Sequence, residues 1–518
     1  MIRSIQILLL ATVTLMLTAC HGTVTGGSPS PPPPGPPQEG QLLQSPPTMT
    51  GSYSAGDLLS LLAGDTDATQ LLTLILNPPC TVTVYHLEYE TVGGQGEATT
   101  ASGALLVPGG SDPSCSGPRP VMLYAHGTST QKTYNIANLP GATGNINDEG
   151  VLLAAVFVAQ GYIVVAPNYA GYDTSTLSYH PYLVAAQQSH DMMDALTAAR
   201  SAFTTLGVNA GSKLFITGYS QGGYVALATL RAMQAAGQSV TAAAPMSGPY
   251  ALSAFGDAVF MGEVNGSGVI NFAFVSDSYQ HSYGNAYTNA TDVFSPQYAT
   301  NIGSLLPTTY TNSQLYAQGL LPQNTLFSNT PPAAQYASMT PATTPANLAV
   351  VFALGFGPSP LVTNAYRLSW LQDAQANPDG GFPTTTNDMP PASSGVGLRQ
   401  DLAKNDLRDF SPSAPVLLCG GDNDPTVFYM NTLLMQGYWA AQAPSAQVTV
   451  LDVDSAVGSN DPYADVKNGF AAAKAAVIAA AIAGGATDGG QTAVLEDYHA
   501  GLVPPFCLYA VQKFFNGF

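Results

Sequence analysis

The apolar positions of this chain follow two rhythms. From Thr81 to Glu90 β-branched and aromatic residues alternate with polar ones, then "TVGGQGE" turns into a second extended segment, Ala98 to Pro108. Period-two alternation around a glycine-rich turn predicts an antiparallel hairpin. From Val121 the alternation stops: "VMLYAHG" is continuously apolar, as expected of a parallel strand covered on both faces. Similar runs recur at 161–171, 213–220, 239–248, 414–424 and 446–454. Helical spacing fills most of the gaps, at 147–160, 183–203, 222–236 and 465–484, and a leucine-rich helical pattern at 56–76 precedes the hairpin. Strands alternating with helices predict an open, mostly parallel α/β sheet with an N-terminal antiparallel hairpin.

One interval breaks the rhythm. Between Gly248 and Pro415 the chain is far longer than the roughly two to six residues of an ordinary connection. It is rich in Tyr, Asn, Thr and Phe, with helical patterns near 311–321 and 361–376. A cap over the carboxyl edge of the sheet is the expected arrangement, over residues 249–413, with the core split into 48–248 and 414–518. The alanine-rich run at 465–484 is short for a membrane span and is expected to be a packed surface helix.

The first residues read as an address. Met1-Ile2-Arg3 is followed by an apolar run from Ile5 to Leu17, the form of a secretory signal. The run ends in Leu17-Thr18-Ala19-Cys20, which resembles the bacterial lipobox. That resemblance implies a signal peptide over 1–19 and a lipid on Cys20. The proline-, glycine- and serine-rich segment that follows cannot bury a core and is expected to form a semi-stiff linker over 20–47. A lipid-anchored envelope protein, or a secreted one, is the expectation.

Composition narrows the partners. Thirty-two acidic residues against 13 basic ones give a formal charge of −19, which would repel a nucleic-acid backbone and anionic headgroups. Only 9% of residues are charged and 46% are hydrophobic, so a neutral small-molecule or lipid substrate fits better. Apart from Cys20 there are four cysteines, an even number suited to an oxidising compartment. Of the three pairings, Cys80–Cys115 would staple the ends of the hairpin. Cys419–Cys507 would tie the end of one predicted strand to the C-terminal helix. Four free thiols are the alternative.

The candidate chemistry centres on "GYSQGG". Ser220 lies between Gly218 and Gly222 where a buried strand meets a helix, so glycines on both sides let the chain turn sharply and lift the hydroxyl above the sheet. A serine nucleophile needs a base. Of seven histidines only His499 follows the last predicted strands, in "EDYHAG". An acid to orient it is expected in "GGDNDPTV": Asp424, with Asp422 as the alternative. For an oxyanion, the N–H of Gln221 follows the nucleophile and that of Thr128 follows the first buried strand; His126 is expected to be structural. Neither the scattered histidines nor "DNDP" has metal-ligand spacing, and no nucleotide fingerprint is present, so no metal or cofactor is expected.

Together "LYAHGTST", "QGYIVVAPNYAGYDTS", "HPYL", "GYSQGG", "GGDNDPTV" and "DYHAG" resemble the α/β-hydrolase superfamily, and within it the secretory lipase and esterase group typified by fungal lipase A. The similarity runs from about 80 to 510, interrupted by the cap. It implies a serine-dependent carboxylic ester hydrolase with a Ser220–Asp424–His499 triad and an acyl-enzyme intermediate. A lipid anchor and proline stalk are not part of the fungal pattern. Two other readings stand beside it, a serine peptidase on the same fold and a non-catalytic envelope binding protein on a hydrolase scaffold.

Overall fold

A computed structural model describes residues 38–62, 79–139, 148–382, 390–391 and 393–518. The expected signal segment, Cys20 and most of the linker lie outside the described residues, as does most of the leucine-rich pattern beyond Leu62.

Among the described residues eleven strands form in chain order: β1 (Thr48–Tyr53), β2 (Thr81–Val92), β3 (Ala98–Gly109), β4 (Arg119–Ala125), β5 (Ile163–Pro167), β6 (Ala210–Tyr219), β7 (Ala242–Met246), β8 (Phe327–Ser328), β9 (Phe356–Gly357), β10 (Val416–Gly420) and β11 (Val448–Asp452). Nine of them make one sheet in the order β1-β2-β3-β5-β4-β6-β7-β10-β11. β1, β2 and β3 pair antiparallel, as does β3 with β5; all other pairs in this sheet are parallel. The predicted hairpin and mostly parallel sheet are therefore present. β1 lacks an apolar run and was not foreseen. It pairs at the edge of β2, where a mostly exposed strand needs no such run.

The expected linker ends earlier than residue 47. The N–H groups of Gly40 and Leu43 donate to the carbonyls of Glu90 and Glu88, and Glu90 N–H donates to Gln41. This segment satisfies backbone groups on the open edge of β2.

Continuous apolar runs occur where both sheet faces are covered. β5, β7 and β10 are buried along their whole length. Along β4 the two faces alternate: Val121, Leu123 and Ala125 join one core, and Met122 and Tyr124 the other. Helices supply both covers: α1 (Ala55–Leu62), α2 (Asp148–Val156), α3 (Ala185–Leu206), α4 (Gln221–Ala235), then α5 (Leu252–Phe260), α6 (Gly268–Tyr283), α7 (Asn364–Ala376) and α8 (Gly397–Lys404) in the long insertion, and α9 (Met430–Gln442), α10 (Ala464–Ala483) and α11 (Val503–Phe515) after it. α10 lies on the surface, with only Val466, Phe470 and Ala473 buried.

Buried cations hold the insertion together. Arg399 joins Asp257 of α5 (2.7 Å) to Asp373 of α7 (2.6 Å). Arg408 is fully buried between Asp379 and Asp406. Arg367 donates instead to the carbonyls of Phe260 and Met339 and packs over the rings of Phe327 and Phe356. Carbonyls at a helix C-terminus carry partial negative charge, which stabilises the guanidinium there. Both cysteine pairs are bonded, Cys80 to Cys115 and Cys419 to Cys507.

Two carboxyls between β2 and α3 give the fold a pH dependence. Asp191 accepts from Tyr89 and the Ala170 N–H, and Asp194 accepts from Thr91. Burial pushes them up to about 6 and about 7. Unfolded aspartates titrate near ~3.9, so between ~pH 4 and 7 the native state binds more protons than the unfolded chain. Their contribution is therefore full at low pH and is lost as pH rises toward 7. The melting temperature is expected to be higher at pH 5 than at pH 8, and Asp194→Asn to reduce that difference; thermal unfolding followed by circular dichroism reads both.

Candidate active site

Because β4, β6, β7 and β10 run parallel, their carboxyl ends share one edge of the sheet. Ser220 leaves β6 there, with its N–H bonded to Met246 O at the end of β7 (3.0 Å). Its backbone adopts φ 57 and ψ −121, outside the ordinary regions for a residue with a side chain. This turn needs glycine neighbours. A Cβ at Gly218 would collide with the carbonyls of Gly222 and Ala125, and one at Gly222 with Ala125 O. α4 begins at once, so its first N–H groups point toward the serine.

The other two expected residues lie beside it. His499 Nε2 is 2.8 Å from Ser220 Oγ, and His499 Nδ1 is 2.7 Å from Asp424 Oδ2. Asp424 is buried, and its Oδ1 accepts the N–H groups of Thr426 and Val427. Asp422 is exposed and is turned toward β11, its N–H donating to Asp452. Three segments far apart in sequence thus bring a hydroxyl, an imidazole and a carboxylate into one hydrogen-bonded line.

Several side chains fix this line that sequence reasoning did not single out. Tyr219 OH donates to His499 O (2.6 Å). Tyr498 donates to Asp454, which also accepts from Asn423 and Lys474, so the acid and histidine loops share one anchor. Cys419 at the end of β10 is bonded to Cys507 in α11, joining the same loops covalently. Tyr219 and Tyr498 lie within "GYSQGG" and "DYHAG", but which atoms they meet is revealed only by contact.

Gln221 and Thr128, the residues expected to supply oxyanion donors, both line a cavity beside Ser220. Among the described residues neither the Gln221 N–H nor the Thr128 N–H has a hydrogen-bond partner. Gln221 is buried, and its side-chain amide donates to His180 Nε2 (2.7 Å). His180 Nδ1 in turn lies 2.9 Å from Ala170 O. Burial pushes His180 down to about 3, so the ring is neutral, donating from Nδ1 and accepting at Nε2. His126, neutral for the same reason, has a carbonyl at each nitrogen: Gly127 O at 2.6 Å and Asn168 O at 3.0 Å. A neutral ring carries one N–H and so donates to one of these two carbonyls. His126 therefore grips the loop backbone, the structural part expected of it.

Ser220, Gln221, Thr128 and His499 border a cavity of about 880 Å³. Much of its apolar wall comes from the insertion, including Phe255, Phe260, Val275, Trp370, Leu398 and Leu402. Trp370 stacks on Phe260 at 3.7 Å and donates to Asp257, which Arg399 holds. Among the described residues no cluster of three or more His, Cys, Asp or Glu is arranged to hold a metal ion.

A family model described as secretory lipase matches residues 138–244. A search of curated proteins returned no match. Among solved structures, a mutant of the rice cell wall degrading esterase LipA from Xanthomonas oryzae is 25% identical, with TM-score 0.67 over 93% of this chain and 99% of that one. A second LipA structure is 27% identical, with TM-score 0.62 over 83% of this chain and 95% of that one. A putative hydrolase from Legionella pneumophila, 19% identical with TM-score 0.62 over 92% and 98%, shares the fold. By its sheet, its strand-to-helix serine turn and these likenesses, the chain has the α/β-hydrolase fold and is similar to the secretory lipase and esterase group.

Proposed function

We propose that this protein is a serine-dependent carboxylic ester hydrolase that works through an acyl-enzyme on Ser220. The observation that carries the reading is the hydrogen-bonded line Ser220–His499–Asp424, 2.8 and 2.7 Å, opening on the cavity. His499 Nε2 takes the Ser220 proton as Oγ bonds to the ester carbonyl carbon. The tetrahedral oxyanion is held by the N–H groups of Gln221 and Thr128. As the carbon–oxygen bond to the alcohol breaks, His499 returns the proton to the departing alcohol. Water then repeats the sequence, attacking the acyl group with His499 as base and releasing acid and free Ser220. Asp424 keeps the imidazole proton on Nδ1 and offsets the charge that forms on the ring.

The lining favours esters with an apolar acyl chain over peptides. Among the described lining residues there is no lysine or arginine to grip a peptide carboxylate. The acyl chain would lie along α5, between its residues and those of α6, α7 and α8. Gly256 sits midway along α5, and a Cβ there would come 2.7 Å from Leu402 Cδ1 and 3.5 Å from Trp370 Cζ2. The protein is further read as exported and anchored by a lipid on Cys20, with the proline-rich segment as spacer. The similar proteins support export; the lipobox resemblance alone supports the anchor.

Three measurements test these readings. Ser220→Ala is expected to lower p-nitrophenyl ester turnover by about four to six orders of magnitude and to abolish fluorophosphonate labelling, with the melting temperature preserved. Turnover near wild type would reject the serine mechanism. Gly256→Leu fills the acyl path, so the kcat/KM ratio of p-nitrophenyl palmitate to butyrate should drop about tenfold or more; an unchanged ratio places the acyl chain elsewhere. Cys20→Ser should release the protein from the membrane fraction, and mass spectrometry of the native protein should find acyl groups on an N-terminal Cys20.

A further inference from the structure

A half-buried carboxylate stands behind the oxyanion loop, outside the Ser220–His499–Asp424 line. Glu149, in the first turn of α2, borders the same cavity as Ser220. Its Oε1 accepts the Gly127 N–H at 3.0 Å and the Tyr124 hydroxyl at 2.6 Å; its Oε2 lies 3.3 Å from Gly127 N and 3.5 Å from Tyr134 OH. Placement in a helix first turn favours an acceptor of this sign.

The geometry bears on one peptide group. Gly127 C=O and Thr128 N–H belong to the same trans peptide and point in opposite directions. His126 Nδ1 lies 2.6 Å from Gly127 O, on the side of this peptide opposite the Thr128 N–H. Glu149 holds the preceding peptide through the Gly127 N–H. Glycine has no Cβ, so with the Glu149 bond lost the peptide is free to rotate about Gly127. An oxyanion donor that rotates away is a donor removed.

We propose that Glu149 is a positioning residue for catalysis, locking Gly127 so that the Thr128 N–H faces the oxyanion formed on the Ser220 adduct. This rests on the serine reading above. Burial pushes Glu149 up to about 6, yet the acceptor role requires an oxygen rather than a charge. Glutamine can fill it; methionine, of similar size, cannot.

The test compares Glu149→Met, Glu149→Gln and Ser220→Ala with wild type in steady-state p-nitrophenyl butyrate hydrolysis, with melting temperatures measured alongside. Glu149→Met should lower kcat about 10²-fold, the range seen on losing an oxyanion donor, with KM changed less than about threefold. Glu149→Gln should recover most of that loss. Adding Gly127→Ala to Glu149→Met should also recover activity, because a Cβ narrows the backbone freedom that Glu149 otherwise suppresses. Space exists for it: the nearest atom, Tyr219 O, would be 3.6 Å away. A purely structural glutamate would show neither rescue, and Glu149→Ala, read the same way, carries the test where the methionine variant does not fold. Glu149→Met with wild-type kcat, while Ser220→Ala is dead, overturns this inference alone. Activity that survives Ser220→Ala overturns the serine reading and this inference with it.

Discussion

A single backbone turn governs the arrangement of this molecule. With φ 57 and ψ −121, Ser220 occupies a conformation that costs of order 1–3 kcal/mol for a residue with a side chain and persists only where its surroundings over-determine it. Those surroundings are β4 and β7 on either side and the start of α4. Their backbones approach so closely that Gly218 and Gly222 leave no room for a Cβ. Parallel pairing brings Ala125 opposite Gly218 and Met246 opposite Tyr219, so the strands that flank the turn end at its level. The strain is held by the most completely buried part of the sheet, which cannot relax without losing its pairing.

Around that fixed hydroxyl, the remaining parts are held by redundant ties. Asp424 and His499 sit on loops, where backbone freedom would otherwise blur their geometry. The Cys419–Cys507 bond, the Tyr498–Asp454–Asn423 bridge and the Tyr219 bond to His499 O restrict those loops from three directions. A disulfide spanning 88 residues removes chain entropy worth about 4–5 kcal/mol from the unfolded state. Behind the oxyanion loop a second polar network runs from His126 through Asn168 and Ser102 to Asp173 and His86. Burying so many polar groups is costly unless each is paired, and paired groups tolerate little displacement.

The insertion follows the same logic with charge. In a chain poor in charged residues, three arginines are buried in the insertion. Two are paired with carboxylates, and Arg367 is held by carbonyls and aromatic faces. Such groups contribute little net stability, but a single misplaced partner would leave a charge unpaired. They therefore fix how α5, α7 and α8 meet, and through Asp257 they fix Trp370 at the cavity wall.

Much of the fold and of the candidate site was legible in the residues because those parts rest on local rules. Burial on two faces demands uninterrupted apolar runs, so the parallel strands announced themselves. A tight strand-to-helix turn demands small neighbours, so Ser220 stood out. Chain order then narrowed the base to His499, and loop position favoured Asp424 over Asp422. Strand β1, the pairing of residues 40–43 with β2 and most of the insertion's helices were not legible, since an exposed edge strand and short helices need no strong pattern. Glu149, His180 as the partner of Gln221, and the Tyr498–Asp454 bridge were invisible for a deeper reason. None has a spacing that names its partner, and its part depends on which distant atoms lie within about 3 Å of it. Periodicity fixes which way a side chain faces within its own element. Only packing those elements together decides what that side chain meets.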